Sequence, residues 1–303
     1  MEQFIPLGQK SNAEIIKKLL EIGDTEAANS FQEDKKSLEG IFQPRSWLNT
    51  QHQYGFIQRG RGGSKERYYD IQSTSTLKAD NSLVNQRVNI RLDYLRVFDY
   101  PKTLFTNPEE NIHTILFSFE ARNQTPEGGE TAVFNRTYSA KVRHDVAVQG
   151  EPIFIGLSVG ANGLSFSCKT VNIGNSSDQE FVKAINSESM EKGLELLTVT
   201  QPALVPLAGI ARGICNALAE KSKNVAVQQF TLGLDFDSGS LGSRLALGEY
   251  IVSQVPKADE INWSDWKYDT QTGTIVKINL APNESPYALP YNTIGFRVTK
   301  YLE

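Results

Sequence analysis

The chemistry this sequence suggests lies in a few short runs. Arg59-Gly60-Arg61-Gly62-Gly63-Ser64-Lys65 sets three cations on a glycine-rich backbone. Arg59, Arg61 and Lys65 in that setting suit phosphate, whether of a phospholipid, a nucleotide or a nucleic acid. Tyr54, Phe56, Tyr68 and Tyr69 flank the run with rings on which bases stack. The competing reading is a solvated hairpin tip. A second run, Leu234-Asp235-Phe236-Asp237-Ser238-Gly239, places two carboxylates on one face of a strand. With Asp265 and Asp269 from Asn262-Trp263-Ser264-Asp265-Trp266-Lys267-Tyr268-Asp269, Asp235 and Asp237 would form an oxygen-rich set of the kind that holds Ca²⁺. It is not an EF-hand, because no Glu stands at the twelfth position. The competing reading is an acidic turn that ends a strand.

Aromatic residues crowd the C-terminal region: Trp263, Trp266, Tyr268, Tyr287 and Tyr291. Presented on end loops, Trp263 and Trp266 would bind a sugar or a protein partner; packed inward, they are core. His52, His113 and His144 fall in no HExxH, HxH or Cys/His cluster, so no zinc site is written locally. Cys168 and Cys215 are too few for a disulfide scaffold and read as buried, reduced thiols. GxSxG, the phosphate-binding GxxxxGK[ST] and a helix-opening GxGxxG are all missing.

The elements that must position these residues change character along the chain. Ser11 with Glu14 makes a capping box. Ile15, Ile16, Leu19 and Leu20 supply an apolar stripe, and Gly23 a C-cap, so a helix is expected there. A second short helix is expected over 25–31. Residues 54–57 and 67–71 read as a hairpin around the basic run. From about Leu83 the period becomes two. In the run from Val88 to Val97, alternation puts Val88, Ile90, Leu92, Tyr94 and Arg96 on one face. Further strands are expected at 115–120, 132–138, 152–159, 164–172, 194–199, 225–235, 248–255, 273–280 and 293–301. Asn162-Gly163 is the strongest hairpin signal in the chain. Two helices interrupt the strands: one over 177–185, capped by Ser177 and Glu180, and one after Pro206. Gly209 and Gly213 have the spacing for close helix packing. Pro202, Pro206, Arg212 and Asn216 argue against a membrane span there.

Composition agrees with a packed protein. Of 303 residues, 39% are hydrophobic and 22% charged, enough apolar surface to support a core. A net charge of −4 argues against non-specific nucleic-acid binding. The N-terminal stretch shows no signal-peptide pattern, so a cytoplasmic protein is expected.

These readings give a mainly β (α+β) fold: one or two antiparallel β-sandwiches with an N-terminal helical segment and two inserted helices. The expected division is residues 1–40, a helical segment; 41–200, a first sandwich region; and 201–303, a helix with a second sandwich region, which can be continuous with the first. The expected function is non-enzymatic: protein–protein interaction, through a protein partner or self-association. One alternative is a C2-like peripheral adaptor at a membrane or phospholipid surface, with Ca²⁺ as its only cofactor. The other is a hydrolase whose site assembles from distant residues.

Overall fold

The structure is a computed structural model. It describes residues 4–33, 45–58, 66–102, 112–125, 128–146, 148, 150–174, 177–178, 194–195, 213–237, 242–278 and 285–302. It is mainly β with a minority of helix. The N-terminal helices are α1 (Asn12–Ile22) and α2 (Thr25–Glu33). Ser11 Oγ accepts from Glu14 N, the Glu14 carboxylate accepts from Ser11 N at 3.0 Å, and Gly23 closes α1 in the left-handed region at φ 86°. A third helix, α3, spans 213–220.

The strands in chain order are β1 (Gln51–Ile57), β2 (Tyr68–Asp70), β3 (Gln72–Ser73), β4 (Arg87–Val97), β5 (Ile112–Thr125), β6 (Gly128–Lys141), β7 (His144–Val146) and β8 (Glu151–Ser158). There follow β9 (Leu164–Ile173), β10 (Leu194–Glu195), β11 (Val225–Asp235), β12 (Ser243–Arg244), β13 (Gly248–Val255), β14 (Trp266–Asp269), β15 (Thr274–Lys277) and β16 (Thr293–Lys300). They form three sheets. The largest runs β10-β8-β4-β16-β13-β1-β3, with β7 also paired to β4. The second runs β12-β11-β9-β5-β6, and the third β15-β14-β2. Strands from residues 41–200 and 201–303 are hydrogen-bonded neighbours in each of the three.

The large sheet and the five-stranded sheet face each other across an aromatic core. Phe119 is its hub, with ring centroids 5.3 Å from Phe296, 5.4 Å from Phe166, 5.8 Å from Phe117 and 6.2 Å from Phe154. The other faces are covered as well. The three-stranded sheet packs Trp263, Trp266, Tyr268 and Ile275 against Ile57, Tyr94, Ile251 and Val255. α3 and Phe4 cover Leu116, Val171 and Ala226 on the five-stranded sheet. α1 and α2 close one end of the sandwich over Trp47, Val97, Ile115 and Val227.

The structure departs from the periodicity in three places. The register of β4 against β16 jumps so that Gly295 faces Tyr94 and Phe296 faces Leu92, leaving Asp93 as an inserted bulge residue. The bulge flips the parity: Leu95 joins the aromatic core with Leu92, while Tyr94 turns to the three-stranded sheet. Asp93 is held by accepting from Gly150 N at 3.0 Å and pairing with Arg297 at 2.5 Å. Second, β1 pairs with β13 and, antiparallel, with β3, while β2 pairs with β14, so the strand that returns to β1 after the basic run is Gln72–Ser73 and not 67–71. Third, the turn at Asn162-Gly163 closes a single antiparallel bridge, Gly160 to Gly163, and the pairing stops there: β8 goes to one sheet and β9 to the other. A β-carbon on Gly163 would sit 1.9 Å from Leu234 O, so close approach of backbones fixes this glycine.

Candidate functional site

Of the residues singled out by sequence, the described Asp235 and Asp269 lie in different sheets. Arg59, Arg61 and Lys65 lie outside the described residues. Asp235 ends β11 in the five-stranded sheet, opposite Arg244 of β12. Asp265 and Asp269 belong to the three-stranded sheet region. The Asp269 carboxylate is engaged by Arg67, with Nη2 at 3.0 Å, and accepts from Gln271 N at 2.9 Å. Burial pushes its pKa up, but these partners outweigh burial and hold it below the ordinary range. Among the described residues, no group of three or more His, Cys, Asp or Glu is placed to hold a metal ion. Trp263 and Trp266 are packing residues, 5% and 8% exposed, and the Trp263 indole donates to Tyr54 O at 3.0 Å.

Among the described residues no helix is long and apolar enough to cross a membrane. Of 177–185, residues 177 and 178 are described and helical; the rest, and residues 201–212, lie outside the described residues.

What the fold does bring together is a cleft of about 980 Å³ at one end of the large sheet. Five stretches meet there: Arg45, Ser46 and Asn49 before β1; Phe98, Asp99 and Lys102 after β4; Val142 and Arg143 before β7; Pro256 and Glu260 after β13; Pro290 and Tyr291 before β16. Side-chain chemistry alternates around it. Arg45, Lys102 and Arg143 are cationic, Asp99 and Glu260 anionic, and Phe98, Tyr291 and the two prolines apolar.

A buried amide pair fixes these loops to one another. Asn292, 1% exposed, accepts from Phe98 N at 2.9 Å and Asp99 N at 3.1 Å. Its amide donates to Asp99 O and to Gln254 Oε1, each at 3.0 Å. Gln254, fully buried, donates in turn to Asn49 O at 2.7 Å, Val227 O at 3.2 Å and Trp47 O at 3.3 Å. Two side chains therefore tie the entries to β1 and β16 and the exit of β4 into one floor. Buried polar groups with satisfied partners hold a site to its geometry.

The electrostatics of the rim follow from this floor. Burial raises the Asp99 carboxyl above its ordinary value, while Arg45, the Ser46 amide and Arg143 pull it back. Burial, then the hydrogen bond from its hydroxyl to Glu260 at 3.0 Å, pushes Tyr291 up to about 12, so the phenol stays protonated and donating. Arg143 is the most unusual residue here. Its φ is 64°, in the left-handed region that a branched or long side chain adopts at a cost. Its amide donates to Val97 O at 2.7 Å and its guanidinium lies 5.6 Å from the Phe98 ring centroid.

Of these residues, sequence reading singled out Tyr291 alone. Asn292, Gln254, Arg45 and Arg143 are separated by up to some 250 positions and match no local pattern; the only signals were Pro-Tyr-Asn before β16 and the turn residues after β6. No protein-family model, no curated protein and no solved structure matches this chain.

Proposed function

We propose that this chain is a non-enzymatic interaction protein whose end cleft receives a segment of a partner protein. The observation that carries this reading is the cleft itself: Arg45, Arg143, Phe98 and Tyr291 gathered over a floor locked by Asn292 and Gln254. Arginine and tyrosine rank among the residues that contribute most at protein interfaces, because they combine large contact area with directed hydrogen bonds. A floor that is already ordered lowers the entropy lost on binding. Arg143 strengthens the reading. A glycine would adopt φ 64° without strain, yet the position holds a long cationic side chain that lines the cleft. Strain retained at a rim residue is what a binding role would explain.

The test uses that strain. Arg143→Gly removes the guanidinium and relieves the backbone, so thermal stability stays equal or rises by a few tenths of a kcal/mol to about 1 kcal/mol. Wild type and the variant, each immobilised as the full chain, are compared by quantitative affinity capture from the source cells. Proteins retained by wild type and by the surface control Lys17→Ala, but lost with Arg143→Gly and Tyr291→Ala, support the reading. Identical capture by all four proteins would remove it.

A further inference from the structure

The turn between β8 and β9 carries the one Asn-Gly pair of the chain, Asn162-Gly163. In such a pair the asparagine side-chain carbon Cγ lies within reach of the next backbone nitrogen. Attack by that nitrogen closes a succinimide ring, and a glycine has no side chain to obstruct it. Holding the reacting atoms in one molecule favours the step, and asparagine counts among the thermolabile residues. In a folded protein the outcome turns on what restrains the side chain and what restrains the nitrogen.

Little restrains the side chain. Asn162 is exposed, and among the described residues its amide makes no hydrogen bond. Gly163, at φ 100°, sets no β-carbon beside its nitrogen. The nitrogen is held by one contact, Gly163 N to Gly160 O at 3.1 Å, with Gly160 N returning to Gly163 O at 3.3 Å. Beyond this bridge the strands part into different sheets, so no ladder reinforces it. Opening a two-bond bridge at the surface is a local event that a folded protein undergoes without global unfolding. The bridge therefore slows the reaction and does not forbid it. Downstream the chain has no slack. Gly163 is buried, a β-carbon there would sit 1.9 Å from Leu234 O, and buried Leu164 opens β9 directly opposite Leu234 of β11.

We propose that Asn162-Gly163 is a site of spontaneous covalent modification, with water as co-reactant, and that its isoaspartyl product unseats the start of β9. The Gly163 nitrogen gives its proton to solvent base and bonds to Asn162 Cγ. The Cγ–Nδ2 bond breaks, and ammonia leaves with a proton taken from solvent. The succinimide then adds one water. Cleavage of its Cγ–N bond leaves aspartate; cleavage at the backbone carbonyl leaves isoaspartate, whose main chain runs through the side-chain carbons. The net change is water gained and ammonia lost, with no oxidation. Isoaspartate lengthens the main chain by one carbon, about 1.5 Å. That carbon enters beside Gly163, where the Leu234 backbone leaves no room for one.

Peptide mapping by mass spectrometry on the full chain, held in warm, mildly alkaline buffer, tests this. Isoaspartyl methyltransferase labelling separates isoaspartate from aspartate. In the folded chain, conversion is expected at Asn162 ahead of the other asparagines. In guanidinium chloride, where the Gly160–Gly163 bridge is open, it should run at least about tenfold faster. The purified isoaspartyl protein should melt at least about 2 °C below Asn162→Asp, which carries the same new charge on an unlengthened chain. Asn162→Gln, whose longer side chain closes the ring poorly, should keep its mass and melting temperature through the same incubation. The proposal is overturned by an Asn162 that converts no sooner than the other asparagines of the folded chain, by equal rates in the folded and unfolded chain, or by an isoaspartyl protein that melts like Asn162→Asp.

Discussion

Replacing Asn292 by alanine should unfasten the end cleft and cost the protein a large share of its stability. The side chain makes four hydrogen bonds, two accepted from Phe98 N and Asp99 N and two donated to Asp99 O and Gln254 Oε1. Each is worth about 1 kcal/mol net, and a group left unpaired at a 1% exposed position costs more, so the loss should be about 4 kcal/mol. For a chain of this size that corresponds to roughly 8 °C in melting temperature. Asn292→Asp is the sharper control. It keeps the acceptor for the two amides but sets a carboxylate against Asp99 O and Gln254 Oε1. Gln254 cannot flip to compensate, because its Nε2 serves three carbonyls. The aspartate should therefore cost at least as much as alanine. Urea unfolding followed by tryptophan fluorescence gives both values. An Asn292→Ala protein within about 1 kcal/mol of wild type would refute the claim that this amide holds the loops together.

Phe119→Ala should cost about 3–5 kcal/mol in the same urea assay, since it removes the ring that touches four others at the centre of the sandwich. Acid should destabilise the fold in a defined window. Burial lowers His52 and His113 from the ordinary 6.5 to about 4, and in His113 the Asn172 hydrogen bond opposes this only in part. The unfolded chain then takes up protons that the folded chain refuses. Stability is complete above about pH 6.5 and falls toward pH 4, by up to about 3 kcal/mol per histidine, and His113→Asn should flatten that slope. Cys168 and Cys215 are fully buried, and burial pushes the Cys215 thiol up to about 12 and Cys168 well above its ordinary value. Both should resist a colorimetric disulfide reagent at about pH 8 in the native protein and react together on unfolding.

Much of the fold was legible because local rules governed it. The capping box at Ser11 and Glu14, the Gly23 cap, and the alternation through Phe117 and Phe119 each settle their element from neighbours a few positions away. What escaped was decided by partners far along the chain. The Asp93 bulge serves Gly150 and Arg297, so the parity of β4 changes for a reason 57 and 204 positions distant. Asn162-Gly163 has the composition of a hairpin turn, but β8 and β9 find better partners in separate sheets. In sequence the aromatic pair Trp263 and Trp266 fits surface and core alike, and burial with Tyr94 and Ile251 makes it core. The cleft was invisible for the same reason as the bulge. Asn292 and Gln254 are unremarkable in type, and only the antiparallel pairing of β13 with β16 sets them side by side.

The measurement that bears most directly on the proposed role is hydrogen exchange by mass spectrometry on the full chain, with and without a partner recovered by the capture experiment. Protection on binding is predicted in peptides covering residues 45–49, 98–102, 142–143, 256–260 and 290–292. Protection confined to other surfaces, with those five stretches exchanging as before, would contradict it.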